Sequence, residues 1–170
     1  LKAKANEKKE RDENDGDGNG GDNSIGADLK ELFSKSDLST GITLDSTTVL
    51  GDDITVIAQT SLDITAEGRS EDVAIDGVRV EGNATAQISI QGNSRLESTG
   101  NVNINATSKL DAKALAEAKS NENTALDAAI ALTKIDNTAI AHISGSTQIS
   151  TTGKLNLAAT TQTTVETDAD

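Results

Sequence analysis

An internal repeat, in which apolar residues alternate with polar ones, limits the folds open to this chain. Corresponding apolar positions are Ile54, Val102 and Leu155, so successive copies are offset by 48 and 53 residues. Alternation with period two is typical of a β-strand that buries one face. A unit of roughly fifty residues cannot bury that face alone and must stack on its neighbours. The sequence therefore predicts stacked strands, in copies at residues 53–63 (DITVIAQTSLD), 101–111 (NVNINATSKLD) and 154–160 (KLNLAAT).

A second alignment joins residues 80–89 to residues 135–144, an offset of 55, and needs a two-residue gap before the glycines that follow also align. It places His142, the single histidine of the chain, opposite Gln87. The neighbours of His142 are apolar, so the alternation predicts that its side chain points outward into solvent. We therefore expect no catalytic or metal-binding role for it.

Residues 110–119 (LDAKALAEAK) test the repeat, because Ala, Leu, Lys and Glu all favour helix. Yet Leu110 and the alanines that follow it at every second position alternate strictly with polar or longer residues. We predict a strand here, since a helix would interrupt the stacked ladder on both sides. Gly100 and Gly153 each precede a repeat strand, where we predict that they let the chain turn a corner without steric cost.

Residues 1–37 differ in composition from the rest. They begin with a charged stretch, residues 1–14, and continue with a Gly/Asp/Asn-rich one, residues 15–26. Residues 27–35 then carry Leu29, Leu32 and Phe33 at helical spacing, which predicts one short amphipathic helix. We predict two regions: a partly helical or disordered lead-in over residues 1–37, and a repeat-built domain over residues 38–170.

The third copy resembles a known surface-protein unit, in the order of residues 128–132 (AAIAL), 135–138 (IDNT), 141–143 (AHI), 149–153 (ISTTG) and 155–159 (LNLAA). This order is similar to the repeat of giant filamentous-haemagglutinin-like and leukotoxin-type adhesins of bacteria, and the resemblance covers about residues 40–170. It implies an all-β fold, a right-handed parallel β-helix (β-solenoid). It also implies an extracellular location, as a structural or adhesive segment of a large secreted surface protein that forms a rod or fibre. The pattern of that family carries no catalytic residues.

The composition limits which classes of partner the chain can bind. Acidic residues outnumber basic ones by 28 to 15, a net charge of −13, which opposes binding to nucleic acid or anionic lipid. No apolar run approaches the roughly 18 residues that span a bilayer. Because no signal-peptide pattern opens the chain, we expect the signal of an exported protein to lie outside these residues. Uncapped strand ladders invite pairing, so we predict self-association into fibres by end-to-end stacking, together with host or matrix surface ligands.

One loop has the pattern of a calcium site. Asp15, Asp17 and Asn19 provide oxygen ligands at positions one, three and five of an EF-hand-type loop, before Gly20. The twelfth position, which should supply a bidentate Glu, is Gly26. A solvated Gly/Asp linker explains the same residues, so we expect no cofactor, with calcium as the one candidate. A calcium-dependent or carbohydrate-binding module is accordingly the alternative function.

An enzyme is the third alternative. With one His, no Cys and no Tyr, the usual nucleophile and base pairs cannot be assembled. Polysaccharide-active β-helix enzymes use carboxylates with arginines, but the four arginines here are scattered, so we predict no enzyme. Outward polar residues recur in register and are interpreted as a soluble outer face rather than a ligand-binding one; they are Thr55 with Asn103 and Asn156, Thr99 with Thr152, and Thr107 with Thr160.

Overall fold

The computed structural model describes residues 1–13, 30–70, 75–118 and 128–170. Within these residues the chain forms ten β-strands and no helix, and therefore no helix that could cross a membrane. The strands are β1 (Lys2–Glu13), β2 (Lys30–Asp45), β3 (Thr48–Gly51), β4 (Ile54–Ser70), β5 (Ile75–Gln91), β6 (Arg95–Ser98), β7 (Val102–Ala118), β8 (Ala128–Ile143), β9 (Gln148–Thr151) and β10 (Leu155–Ala169).

All strand pairs are parallel, and they form three sheets. Sheet A has the order β1-β4-β7-β10, sheet B has β2-β5-β8, and sheet C has β3-β6-β9. Along the chain the strands from β2 onward follow in the order B, C, A, and this order occurs three times. The predicted repeat is confirmed, since Ile54 pairs with Val102 and Val102 pairs with Leu155.

The strand prediction for residues 110–118 is also confirmed. In β7 burial alternates along almost the whole strand, with Leu110, Ala112, Ala114 and Ala116 buried and the residues between them more exposed. Neighbouring strands on both sides hold the β7 backbone in the ladder. Packing of the small side chains against the facing sheet therefore overrides the intrinsic helix preference of Ala, Lys and Glu.

The core lies between sheets A and B and consists of stacked aliphatic side chains. One cluster joins Leu62 and Leu110 of sheet A to Val78 and Val80 of sheet B, and all four are essentially inaccessible to solvent. A second cluster adds Leu96 from sheet C. Each buried Val, Leu or Ile stabilises the fold by about 1.5–3 kcal/mol relative to full exposure. Such a core needs no aromatic residue.

The corner between sheets B and C uses a left-handed backbone in every copy. Ser46, Gly92 and Gly145 follow β2, β5 and β8 at equivalent positions, with φ of 50°, 68° and 72°. Gly100 and Gly153 lie at the corners between sheets C and A, as predicted, but they are not among the residues with positive φ. A Cβ on Gly100 would lie 2.6 Å from the Asp52 carbonyl oxygen of the preceding copy. These glycines therefore permit close stacking of backbones rather than a special dihedral angle.

Two expectations were wrong. The amphipathic helix over residues 27–35 is not formed in the part that is described, since β2 begins at Lys30 and continues through the predicted boundary at residue 37. In a strand Leu32 and Phe33 face opposite sides, so Leu32 is buried while Phe33 is 41% exposed. The offset of 55 is replaced by a constant 53, since Val80 pairs with Thr133 and no gap is needed. A two-residue slip keeps every side chain on its face, so the hydrophobic pattern could not detect it.

Candidate ligand-binding groove

The predicted calcium ligands Asp15, Asp17 and Asn19 lie outside the described residues. Among the residues that are described, no group of three or more His, Asp or Glu side chains is arranged to hold a metal ion. The calcium loop thus stays a prediction. His142 lies on the outer face of β8, is exposed as expected, and pairs with Ser89 rather than with Gln87.

The arginines whose side chains are described are each paired with a nearby acid. Arg79 binds Glu81, and the Nε atom of Arg95 donates to Glu97 at 2.6 Å. Arg69 lies 3.3 Å from Glu117 on the adjacent strand. These pairs lie on different strands and do not converge on a common cleft. Their positions therefore match surface ion pairs rather than an acid and arginine cluster.

The outward polar rows occur in the expected register, with Thr55, Asn103 and Asn156 on adjacent strands of sheet A. Two of the outward polar side chains that were singled out bond to the neighbouring layer. The amide of Asn156 donates to Asn105 at 3.2 Å, and the Thr152 hydroxyl donates to the Thr99 carbonyl. These two contacts tie the third copy to the second.

Charged side chains also form ladders on the outer face of sheet A. Lys113 lies between Glu67 of β4 and Glu166 of β10, at 4.0 and 3.5 Å. Lys109 bonds to Asp111, and this hydrogen bond and charge raise the pKa of Lys109, with a further contribution from Asp63. Asp63 and Asp111 are direct partners on adjacent strands, so Lys109 offsets a like-charge pair.

A groove on the outer face of sheet B was not anticipated. It has a volume of about 220 Å³, and its floor contains Gly82 and Ile135, which are partners on β5 and β8. A Cβ on Gly82 would lie 2.8 Å from the Cδ1 atom of Ile64 and 3.3 Å from that of Leu110. Because Gly82 has no side chain, the core side chains beneath it occupy this space and the backbone lies close to them.

Two rows of polar side chains form the walls of this groove. One row is Lys35, Glu81 and Lys134, and the other is Asp37, Asn83 and Asp136, each across β2, β5 and β8. The Lys35 ammonium lies 3.7 Å from the Asp37 carboxylate, and the Asp136 carboxylate accepts a hydrogen bond from Thr138. The side chains of Asn83 and Lys134 make no hydrogen bond or ion pair with any residue that the structure describes, so their donors face solvent.

An exposed apolar row borders the groove. Phe33 of β2, Arg79 of β5 and Leu132 of β8 are partners across sheet B, two residues from the nearer wall. The Arg79 guanidinium lies 5.5 Å from the centre of the Phe33 ring, a cation–π contact. Phe33 and Leu132 are 41% and 54% exposed. An aromatic ring at the surface of a chain with no other aromatic residue of the Phe, Tyr or Trp type is unexpected.

One sequence signal could have located the groove. Gly82 lies within the alternating segment of residues 75–91, and an isolated Gly in a strand indicates a bulge or a close approach of backbone. The wall residues gave no signal, because their convergence depends on pairing between strands 46 and 53 residues apart. In comparisons with known proteins the chain matches no family model, no curated protein and no solved structure.

Proposed function

We propose that this chain is a structural and adhesive segment of a large secreted bacterial surface protein. In this proposal the strands close into a right-handed parallel β-helix on the cell exterior, and the chain has no catalytic role. The observation that carries the proposal is the constant register of the strand pairs, with equivalent residues of successive copies stacked in all three sheets. Such stacking adds length along one axis without changing the cross-section.

The dimensions favour a rod-forming element. Neighbouring strands are separated by about 4.8 Å, and a strand of 17 residues extends roughly 56 Å at about 3.3 Å per residue. Each copy therefore adds one thin, wide layer, and a long rod requires many layers. The outer faces are polar and the net charge is −13, which keeps parallel rods soluble and apart.

The layer formed by the third copy has an apolar face on which a further layer, from the same chain or from a second copy, can stack. Leu155 and Leu157 of β10 are half exposed, although their partners Val102 and Ile104 on β7 are fully buried. Apolar surface of this kind is stabilised when a further layer covers it.

Sedimentation velocity tests this stacking. We expect species larger than a monomer whose abundance rises with concentration, and we expect Leu157→Lys to abolish them because it places a charge on the apolar face. The matched control is Ala158→Lys on the same strand, at a position whose partner Asn105 points outward. A monomer at all concentrations, or equal loss in both variants, would contradict the stacking variant.

Immunogold electron microscopy tests the main proposal. Antibodies raised against the purified chain should label the outside of intact cells of the source bacterium. Label confined to the interior of sectioned cells would refute the extracellular role.

The calcium alternative is tested separately by calorimetry with the full chain. The double substitution Asp15→Asn with Asp17→Asn should remove any heat of calcium binding. If the unchanged chain gives no heat at millimolar calcium, the calcium alternative is wrong.

A further inference from the structure

The groove on the outer face of sheet B has the features of a small-ligand site. We propose that it binds one pyranose unit of a neutral glycan, with Asn83 and Lys134 as hydrogen-bond donors and Phe33 beside the sugar ring. This inference rests on the proposed adhesive function for its biological meaning, because it specifies what the segment would recognise. Binding itself can be measured on the isolated chain.

The size of the groove limits the ligand. Sites for drug-sized molecules are typically about 300–1,000 Å³, whereas this groove has a volume of about 220 Å³. It is therefore suited to a single sugar ring rather than to a folded partner. Because the groove lies across stacked strands, the remainder of a glycan chain can extend along the outer face of the sheet in either direction.

The groups at the walls match sugar hydroxyls. A hydroxyl both donates and accepts, carboxylates accept, and ammonium and amide nitrogens donate. The Asp37 and Asp136 carboxylates lie on one wall with Asn83 between them, and Lys134 lies on the other. The side chains of Asn83 and Lys134 have no hydrogen-bond partner among the described residues, so binding a hydroxyl would not require them to break a protein contact.

The apolar row supplies the second half of sugar recognition. Pyranose rings present a face of C–H groups that packs against an aromatic or aliphatic surface. Phe33 and Leu132 flank Arg79 at the border of the groove, and both are exposed. Exposed apolar residues rimmed by polar ones are typical of binding surfaces. The Arg79 contact fixes the orientation of the Phe33 ring before a ligand arrives.

The charges favour a neutral ligand over an anionic one. Three carboxylates, those of Asp37, Glu81 and Asp136, line the groove together with two ammonium groups. Lys35 is paired with Asp37, and Glu81 is paired with Arg79 at the border, so no excess of positive charge is left to attract an anion. The whole chain is also strongly acidic. The net charge of the chain would therefore repel a sulfated or uronic acid glycan, whereas hydroxyl groups carry no such cost.

The composition of the chain allows a direct test by proton NMR. Its aromatic side chains are only those of Phe33 and His142, so each can be followed without isotope labelling. His142 lies ten residues from Leu132 along β8, roughly 33 Å away, and serves as an internal control. Titration with neutral oligosaccharides of glucose, galactose, mannose and N-acetylglucosamine should shift the Phe33 ring signals while the His142 signals stay unchanged.

Variants then locate the site. Asn83→Ala and Lys134→Ala should each weaken binding about fivefold, the effect of one lost hydrogen bond. The matched control is Thr107→Ala on the outer face of sheet A, which should bind as wild type does. Circular dichroism and thermal melting of every variant establish that it folds, and a variant that fails to fold is replaced by Asn83→Ser or Lys134→Gln.

Four results would overturn the proposal. They are no shift with any neutral oligosaccharide, equal shifts at Phe33 and His142, unchanged affinity in both groove variants, and stronger binding of heparin than of neutral sugars. Capture of a protein that competes for the same face would likewise replace a glycan with a protein partner. Failure of sugar binding leaves the immunogold result untouched, so the failure of this inference and that of the proposed function are distinguishable.

Discussion

Replacing Leu110 with Ala removes a side chain from the centre of the core. Leu110 has no exposed surface and lies between Leu62 and Thr163 in adjacent layers, with its Cδ1 atom against Gly82. The substitution deletes three carbon atoms, about 2.4 kcal/mol at about 0.8 kcal/mol each. An unfilled cavity of roughly 50 Å³ adds about 1.2 kcal/mol at about 24 cal/mol per Å³. We expect the free energy of unfolding to fall by about 3.6 kcal/mol.

Urea denaturation followed by far-ultraviolet circular dichroism measures this loss. The matched control is Leu132→Ala, which makes the same chemical change at a position that is 54% exposed on the outer face of β8. We expect that variant to lose no more than about 0.5 kcal/mol. Similar losses in both variants would refute the assignment of inward and outward faces, and so would a loss under about 1 kcal/mol for Leu110→Ala.

Three further predictions concern a contact, a corner and a charge. Gly82→Ala should lower the free energy of unfolding by about 1–3 kcal/mol through overpacking. Adding Ile64→Val should recover part of that loss, because it removes the Cδ1 atom that a Cβ would meet. If the effects of the two substitutions simply add in urea titrations, the proposed contact is wrong. Ser46→Gly should stabilise by roughly 1 kcal/mol, because Ser46 holds a φ of 50° that glycine adopts without strain; an unchanged midpoint contradicts this. Lys109→Met should lower the melting temperature. Because Asp111 raises the pKa of Lys109, the difference in melting temperature from wild type should be fully present below the ordinary lysine pKa. It should disappear as the pH rises through the pKa of Lys109 in the folded protein. A difference that does not depend on pH indicates a packing effect instead.

Periodicity predicted the strands well where neighbouring copies confirm one another. The stretch after Leu110 was assigned correctly despite its helical composition, because alternation reports the face that each residue occupies. The same reasoning failed at Leu32 and Phe33. Two adjacent apolar residues suggested one helical face, whereas in a strand they lie on opposite faces. Phe33 is therefore on the outside, where it stacks with Arg79 of the next strand. That contact joins residues 46 apart and has no local signature.

The register of sheet B and the groove could not be predicted from the sequence alone. A slip of two residues leaves the alternation intact, so hydrophobicity alone could not choose between offsets of 55 and 53. The choice depends on Gly92 and Gly145, whose positive φ fixes where each layer turns. The groove depends on the same register, since only an offset of 53 sets Lys134 beside Glu81 and Asp136 beside Asn83.

The parallel ladders have a mechanical consequence. Hydrogen bonds between stacked strands point along the stacking direction, so a pull on that axis loads them in tension and opens one layer at a time. Paired residues of the second and third copies are 53 residues apart in the chain. Opening one such layer would release roughly 180 Å of extended chain from a folded thickness of about 4.8 Å. In the adhesive role that we propose, the segment would lengthen in steps under shear and dissipate force before its attachment point failed.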